Sequence, residues 1–157
     1  MSKSLKRVRR VLEDTGWETE IRETGEARTA RMAADELGVE VDQIAKSIIF
    51  RGDTTGQALL FLTAGGNQVD VGKASALAGE PLGKADAALV RSQTGFAIGG
   101  VSPVGHLNPI RTWVDPRLLD FVVVWAAAGT PHHVFSCSPK DLLGLSDARA
   151  ENFTVEL

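Results

Sequence analysis

The chain has 157 residues, of which 43% are hydrophobic and 24% charged, and its formal net charge is −3 at pH 7. These values fit one globular domain with a substantial core, and they exclude a protein that coats nucleic acid through its overall charge. One cysteine, Cys137, excludes an internal disulfide, and neither a signal peptide nor an apolar run of 18 residues is present. We expect a cytoplasmic protein, with no membrane segment and with a single domain over residues 1–157.

The first predicted element is an amphipathic helix. Apolar residues recur at helical spacing from Leu5 to Leu12, and Gly16 follows where a helix would end. The polar face of this helix is basic and includes Lys6, Arg7 and Arg10. Such a face either contacts a phosphate backbone weakly, as a tRNA would offer, or is only solvated.

Further along, alternation from Trp17 to Ile21 predicts an exposed strand, and Thr29 is placed to cap a second helix that ends at Gly38. More strands are expected over residues 44–51, 57–63, 110–115, 121–126, 132–136 and 153–156, and more helices after Asp70, Asp86 and Ser138. The strand over 57–63 is apolar on both faces, which predicts a central position. Because strands and short helices mix without strict βαβ alternation, we predict an α+β fold with a mixed, mostly antiparallel sheet and several short helices.

Lys46 is an unusual residue for its strand. With a period of two, it shares a face with Ile44, Ile48 and Phe50. Burying an ammonium group without a partner is costly, so two arrangements are open. The lysine either lies at the sheet edge with its head in water or reaches into a cleft where an anion or a carbonyl meets it.

Residues 94–106 form a loop with four glycines and Pro103 between two apolar segments. Glycine permits positive φ and a close approach to the backbone, while proline stops a strand or helix. We expect Gly100 to adopt positive φ and to allow a close approach to its backbone. A loop of this composition is either a connection or a surface that presents backbone N–H groups to a ligand.

Conventional catalytic and metal-binding patterns are missing from the sequence. His106, His132 and His133 have no metal-ligand spacing, so neither a metal nor a cofactor is expected. Ser102 has no histidine and acid in a recognisable context. Cys137 precedes a helix start, where it is either activated by the helix N-terminus or a small buried residue.

The order of these features resembles the YbaK/ProX family of aminoacyl-tRNA deacylases, which are similar to the editing domain of bacterial prolyl-tRNA synthetase. The segments that carry the resemblance are Thr29 with its helix, residues 44–47, Asp70, and residues 94–96, 99–105 and 114–115. The resemblance implies metal-independent hydrolysis of the ester in a mischarged tRNA, namely tRNA-Pro carrying alanine, cysteine or serine. It also implies an association with prolyl-tRNA synthetase, for a monomer or a homodimer.

Carried over by position, the family's catalytic residues fall on Lys46, Gly100, Ser102 and Asp115. Substrate contacts are expected around them from Thr29, Ile48, Phe50, Thr94, Gly95, Phe96, Gly99, Val101 and Pro103. Phe96 stands where many members have tyrosine, and the chain contains no tyrosine, which places any role of a phenol hydroxyl in doubt. Asp115 is either a strand-end residue before Pro116 or a partner that orients Lys46 or a substrate amine.

An aminoacyl ester is already reactive, so an enzyme mainly has to hold it and stabilise charge on its carbonyl oxygen. Backbone N–H groups from Gly100 to Ser102 and the Lys46 ammonium are the expected donors, and a ribose hydroxyl or a water moves the proton. A pocket bounded by apolar residues such as Ile48, Phe50 and Ile98 would select by size. The alternative is a non-catalytic protein, either a tRNA- or DNA-binding regulator that uses the basic first helix or a synthetase-associated module.

Overall fold

A mixed sheet of eight strands forms the centre of the computed structural model, which describes residues 2–17, 20–25 and 27–156. The strands are β1 (Ile21–Glu23), β2 (Ile44–Gly52), β3 (Ala58–Ala64), β4 (Leu82–Lys84), β5 (Arg111–Val114), β6 (Val124–Thr130), β7 (His133–Cys137) and β8 (Arg149–Ala150). The helices are α1 (Lys3–Asp14), α2 (Ala30–Leu37), α3 (Val71–Ala78), α4 (Ala87–Thr94) and α5 (Pro139–Ser146), with short 3-10 turns at Val41–Gln43 and Pro116–Asp120.

The strand order is β1-β7-β6-β2-β3-β5-β8, and β4 pairs with β2 off this path. Antiparallel pairs join β2 to β3 and β4, and join β7 to β1 and β6. Parallel pairs join β2 to β6, β3 to β5 and β5 to β8. The predicted α+β fold with a mixed, mostly antiparallel sheet and short helices is confirmed.

Strand β3 is the centre of the sheet, and all seven of its residues are buried. Leu60 and Leu62 face the larger core cluster, which α1 covers. On the opposite face, Phe61 belongs to a smaller cluster and stacks on Trp113 with ring centroids 4.8 Å apart. The two-sided apolar pattern therefore predicted a central strand correctly.

Most predicted helix starts are confirmed by their caps. The side chains of Thr29, Asp70, Asp86 and Ser138 each accept a hydrogen bond from the backbone N–H three residues later. These bonds satisfy N–H groups that have no partner inside the helix. In the turn before β2, Glu40 and Gln43 form a capping box.

Three strand predictions needed correction. The strand expected over 121–126 begins only at Val124, because the segment before it turns outward and Val122 is 86% exposed. The strand expected over 153–156 is an isolated bridge between Val69 and Thr154. Strand β4 was not predicted from its three residues. The first expected strand includes Glu18 and Thr19, which lie outside the described residues, and the observed strand is Ile21–Glu23.

Across the described ranges, no helix combines the length and the apolar character that crossing a membrane requires.

Candidate active site

An opening in the sheet lies along one edge of β2. Strand β3 occupies the other edge of β2 from Ala45 to Arg51. On the open edge, β6 pairs with β2 only at Ile44 and Ala45, and β4 pairs only from Phe50 to Gly52. None of the described strands therefore lies beside residues 46–49 on that side. Strand β2 pairs with β6 at its first residues, separates from it, and pairs with β4 at its last residues.

The backbone groups at this opening follow from the alternation of an antiparallel pair. Gly52 N donates to the Gln57 carbonyl at 2.9 Å across the hairpin, so the backbone of Gly52 faces β3. Consecutive residues alternate, which directs the N–H and C=O groups of Ser47 and Ile49 away from β3 and toward the opening. The Ser47 hydroxyl is also buried and has no hydrogen-bond partner among the described residues. The opening thus presents unpaired polar groups.

A cavity of about 170 Å³ lies at this opening, and we call it the inner cavity. Its apolar wall consists of small residues together with Trp125, Ile44 and Val101, and Ala27, Ala30, Ala33, Ala45, Ala126 and Ala127 are among the small ones. Its polar lining includes Thr29, Lys46, Ser47, Thr130 and His133. An outer cavity of about 480 Å³ shares Thr29, Lys46, Ser47 and Gly99 with it and adds Arg31, Gly65 and Gly66.

Lys46 lies in this cleft against a carbonyl oxygen, which is the second of the two arrangements that the sequence left open. Its Nζ donates to the Asn67 carbonyl at 2.6 Å. Burial lowers the pKa of Lys46 from its ordinary value, while the charges of Asp42 and Asp115 oppose that shift. The ammonium is therefore partly desolvated and positioned by its hydrogen bond.

Asp115 supports this arrangement from behind the cleft, where it is 2% exposed. Its Oδ2 accepts hydrogen bonds from Ala64 N at 3.1 Å and Asn67 Nδ2 at 2.9 Å, and its Oδ1 accepts from Arg117 N at 3.0 Å. Asp115 also caps the 3-10 turn before β6. Asp115 ends a strand, as the first of the two alternatives has it, and it reaches Lys46 only through Asn67.

Thr130 and His133 are functional-site candidates that the sequence did not single out. The Thr130 Oγ1 and His133 Nδ1 atoms share a hydrogen bond of 2.6 Å, and both residues line the inner cavity. The only sequence signal was the tight turn between two strands, which places a hydroxyl and an imidazole on the same side. Asn67 was missed as well, because its main contribution to Lys46 is a backbone carbonyl.

The loop of residues 94–106, which we call the glycine loop, contributes Gly99 and Val101 to the inner cavity. Positive φ occurs at Gly99, with φ +89°, and Gly100 does not share it, contrary to expectation. Gly100 is needed for a different reason, since a Cβ at that position would lie 2.8 Å from the Thr130 backbone. Gly100 N donates to the Ala97 carbonyl at 3.0 Å. Within the described chain, the backbone amide of Val101 donates no hydrogen bond to another backbone group.

Ser102 and Pro103 lie away from the inner cavity. Ser102 is fully buried, its Oγ accepts a hydrogen bond from Val104 N at 3.2 Å, and its carbonyl accepts from His106 Nε2 at 2.7 Å. Pro103 lines a separate groove of about 890 Å³ between residues 103–113 and 145–149. The structure therefore places both residues where they shape the loop, outside the cavity that holds Lys46.

The segment Thr94–Phe96 also serves the loop's structure. Thr94 is fully buried at the end of α4, and its Oγ1 bonds Val90 O at 2.6 Å and Phe96 N at 3.1 Å. Gly95 ends that helix with φ +83°. Phe96 is a fully buried member of the larger core cluster. None of the three lines the inner or the outer cavity, so the expected substrate contacts are not found there.

Arg7 fixes the glycine loop to α1. Its Nε donates to the Gly105 carbonyl at 2.7 Å, its Nη2 donates to the Gly95 carbonyl at 3.0 Å, and its guanidinium lies 4.7 Å from the Phe96 ring centroid. One side chain thus holds both ends of the loop. This internal role replaces the expected tRNA contact of Arg7, whereas Lys6 and Arg10 remain exposed on α1.

The apolar residues expected around the pocket lie elsewhere. Ile48 and Phe50 pack on the smaller core cluster, where Phe50 meets Phe61 edge to face with centroids 5.8 Å apart. Ile98 is 55% exposed and lines neither cavity. A residue on the same face of β2 as Lys46 does not necessarily line the same cavity, because each step of two residues moves the side chain by roughly 7 Å along the strand.

Cys137 is a buried residue of the larger core cluster, and burial raises the pKa of its thiol to about 12. A thiol in this state is a poor nucleophile, so the second of the two expectations for Cys137 holds. In the described segments, no three His, Cys, Asp or Glu side chains gather in one place.

These features define a class of protein: an α+β domain whose sheet opening and glycine loop enclose a positioned lysine, a site suited to holding and polarising a carbonyl group. Residues 24–145 match the family model of the aminoacyl-tRNA editing domain. The chain belongs to this family, as its resemblance to YbaK and ProX proteins implied.

Relatives and solved structures agree with this assignment. The chain is 32% identical over 140 residues, 88% of each protein, to the uncharacterised protein YwhH of Bacillus subtilis. It is 24% identical over 132 residues to EbsC of Enterococcus faecalis, named as a candidate Cys-tRNA(Pro)/Cys-tRNA(Cys) deacylase, and this match covers 82% of this chain and 78% of EbsC. A crystal structure of a candidate trans-editing enzyme for prolyl-tRNA synthetase superimposes with a TM-score of 0.91, at 44% identity and 99% coverage of both chains.

Proposed function

We propose that the protein is a trans-editing deacylase that hydrolyses the ester between a small non-cognate amino acid and tRNA-Pro. The observation that carries this proposal is the Lys46 ammonium, held by the Asn67 carbonyl in the wall of a small cavity beside Gly99 and Val101. The protein would act in the cytoplasm, alone or with prolyl-tRNA synthetase, as a monomer or a homodimer. The names of EbsC and of the trans-editing neighbour point in the same direction.

The size of the inner cavity supports a small amino acid. Its volume of about 170 Å³ lies below the roughly 300–1,000 Å³ of pockets that hold a drug-sized ligand. Six alanines line its apolar wall, and β2 and β6 limit how far three of them, Ala45, Ala126 and Ala127, can move. We propose that alanine, serine and cysteine side chains enter, while a phenyl or indole ring is rejected because dense walls resist overpacking.

Polarisation of the ester carbonyl is the step that the site supports best. We propose that Lys46 supplies the positive charge and that the backbone amide of Val101 supplies an N–H donor. This amide lies on the loop that lines the cavity. Donors fixed in advance where charge develops can supply a large part of a rate enhancement. Asp115 acts as a positioning residue, because it holds Asn67, which in turn holds Lys46.

The reaction consumes one water molecule. Its oxygen adds to the carbonyl carbon, the bond from that carbon to the ribose oxygen breaks, and the departing oxygen takes up a proton. The free amino acid and the uncharged tRNA are the products. The neighbouring ribose hydroxyl or a second water carries the proton, while Lys46 and the Val101 amide stabilise the negative charge on the carbonyl oxygen.

A non-catalytic regulator is less well supported, because Arg7 of the basic helix is engaged with the glycine loop. The test is single-turnover deacylation of one tRNA-Pro carrying alanine, serine, cysteine, proline or phenylalanine. We expect rapid loss of the small esters, with differences of about 10- to 200-fold for each methylene, and much slower loss of phenylalanine. A preference for phenylalanine would contradict the size selection, and no hydrolysis of any ester would contradict the deacylase proposal.

A further inference from the structure

Arg28 and Arg31 stand at the lining of the outer cavity. Both are exposed, and neither makes an ion pair or a side-chain hydrogen bond with any other described residue. The arginines at positions 22, 51, 111 and 117 are each paired with a carboxylate. Arg10, Arg91 and Arg149 have no such pair among the described residues either, but they line neither the inner nor the outer cavity. Two arginines that line one cavity and have no partner among the described residues indicate an anionic ligand.

The position of the outer cavity says which part of a substrate would reach it. It shares Arg28, Thr29, Ala30, Lys46, Ser47 and Gly99 with the inner cavity, so the two volumes meet at the lysine and Arg28 stands where they join. If an acyl group occupies the inner cavity with its carbonyl at Lys46, the alcohol half of the ester must leave through the outer one. Its volume of about 480 Å³ is within the range of small-molecule sites.

We infer that Arg28 and Arg31 bind the phosphate of the 3′-terminal nucleotide that carries the amino acid. This inference rests on the proposed function, in which that nucleotide is the alcohol half of the ester. A guanidinium matches a phosphate with two parallel N–H donors, which a lysine cannot do. The chain has a net charge of −3, so its overall field does not attract tRNA, and local cations have to do so.

The variant that tests this is the double substitution Arg28→Glu/Arg31→Glu. A control of equal charge change is Arg91→Glu/Lys140→Glu, at two exposed positions that line neither cavity. With alanyl-tRNA, the first variant should lose about 10-fold or more in kcat/KM, because hydrogen bonds between charged groups are lost. With alanyl-adenosine, which has no phosphate, the same variant should match the wild type. The control should match it with both substrates.

A second measurement does not depend on activity. Binding of uncharged tRNA, followed by fluorescence anisotropy at several salt concentrations, should show a slope of log affinity against log salt that is about 0.7 less steep in the Arg28→Glu/Arg31→Glu variant, since each phosphate of a single strand that the protein neutralises contributes about 0.7. The control should keep the wild-type slope.

Three outcomes would overturn the inference. The first is a wild-type slope and kcat/KM in the arginine variant, which leaves the deacylase proposal intact. The second is an equal loss with alanyl-adenosine, which would mean that the substitutions damage the inner cavity. The third is a flattened slope only in a Lys6→Glu/Arg10→Glu variant, which would place the phosphate contacts on α1. Failure of the deacylase proposal is recognised separately, because the wild type would then hydrolyse neither substrate.

Discussion

Lys46 and Asp115 are connected through Asn67 and do not form a direct ion pair. The Lys46 ammonium donates to the Asn67 carbonyl at 2.6 Å, and the Asn67 side-chain amide donates to the Asp115 carboxylate at 2.9 Å. The lysine therefore has the favourable influence of a negative charge without being neutralised by contact with it. Its remaining N–H groups are available to a substrate oxygen.

Replacing Lys46 with alanine should abolish most of the activity and leave the fold intact. Loss of one charged donor to a developing oxyanion typically costs about 10²- to 10³-fold in rate. Single-turnover deacylation and a thermal melt measure the two effects. Lys84→Ala, at an exposed position on β4, is the control and should behave like the wild type. Full activity of Lys46→Ala would remove this lysine from the mechanism.

Asp115→Asn tests the positioning role. Oδ2 now accepts two N–H groups and Oδ1 a third, so one amide group cannot accept them all, and we expect a loss of about 1–3 kcal/mol of stability in urea unfolding. The charge of Asp115 raises the pKa of Lys46 against the effect of burial. Without it, that pKa falls further, and the loss of activity at alkaline pH should begin at a lower pH. An unchanged alkaline limb would show that Asp115 is only structural.

Gly100 and Gly144 make a matched pair of glycine-to-alanine substitutions. At Gly100 the new Cβ would lie 2.8 Å from the Thr130 backbone, so the loop must move away from the cavity wall. At Gly144, inside α5, a Cβ meets nothing within 4 Å. Gly100→Ala should lower both stability and activity, whereas Gly144→Ala should stabilise the protein by about 0.5–1 kcal/mol. A harmless Gly100→Ala would contradict the close packing of loop and strand.

Arg7→Ala should release the glycine loop from α1 and lower the stability of the protein. It removes two charge-assisted hydrogen bonds, and such bonds contribute about 1.5–3 kcal/mol. Arg7→Lys should rescue little, since one ammonium cannot reach Gly95 and Gly105 with the same geometry. Denaturant unfolding provides the measurement, and Arg10→Ala, on the exposed face of the same helix, should change stability by no more than about 0.5 kcal/mol. Equal losses of stability at both positions would argue against the role of Arg7 in holding the glycine loop.

Glu80 should contribute stability that acid removes. Hydrogen bonds to its carboxylate lower the pKa of Glu80 below its ordinary value of 4.5. The largest effect comes from the hydrogen bond of the Thr55 backbone N–H. Because the folded-state pKa is the lower one, the contribution is present above pH 4.5 and is lost as the pH falls through the folded-state value. Glu80→Gln should be less stable than the wild type at neutral pH, and urea midpoints should converge below that pKa. A difference in midpoint that does not shrink as the pH falls below 4.5 would contradict this assignment.

Local features of the fold could be predicted from the sequence because the groups that decide them are near neighbours. Thr29 and Asp70 each bond a backbone N–H only three residues away, so the cap is visible in a short window. The sequence also indicated that Lys46 needs water or a partner for its charge, since burying an unpaired ammonium on an apolar strand face is costly, but it left open whether the lysine lies at the sheet edge or in a cleft.

The rest of the site depends on contacts that no short window contains. The sheet opening exists because β6 and β4, which are far apart in sequence, both pair with β2 and leave residues 46–49 between them. Arg7 looks like any other arginine of a basic helix until the folded chain brings Gly95 and Gly105 beside it. Ile48 and Phe50 share a face with Lys46, but distance along the strand assigns them to a different core.

The opening in the sheet also bears on self-association. Unpaired strand edges invite another chain to add a strand, which is why natural proteins shorten, charge or cover them. Here the unpaired stretch is internal, bounded by β6 at one end and β4 at the other. A foreign strand would need several residues in register, and only four are free. The protein can therefore keep unpaired peptide groups at its candidate site without offering a template for aggregation.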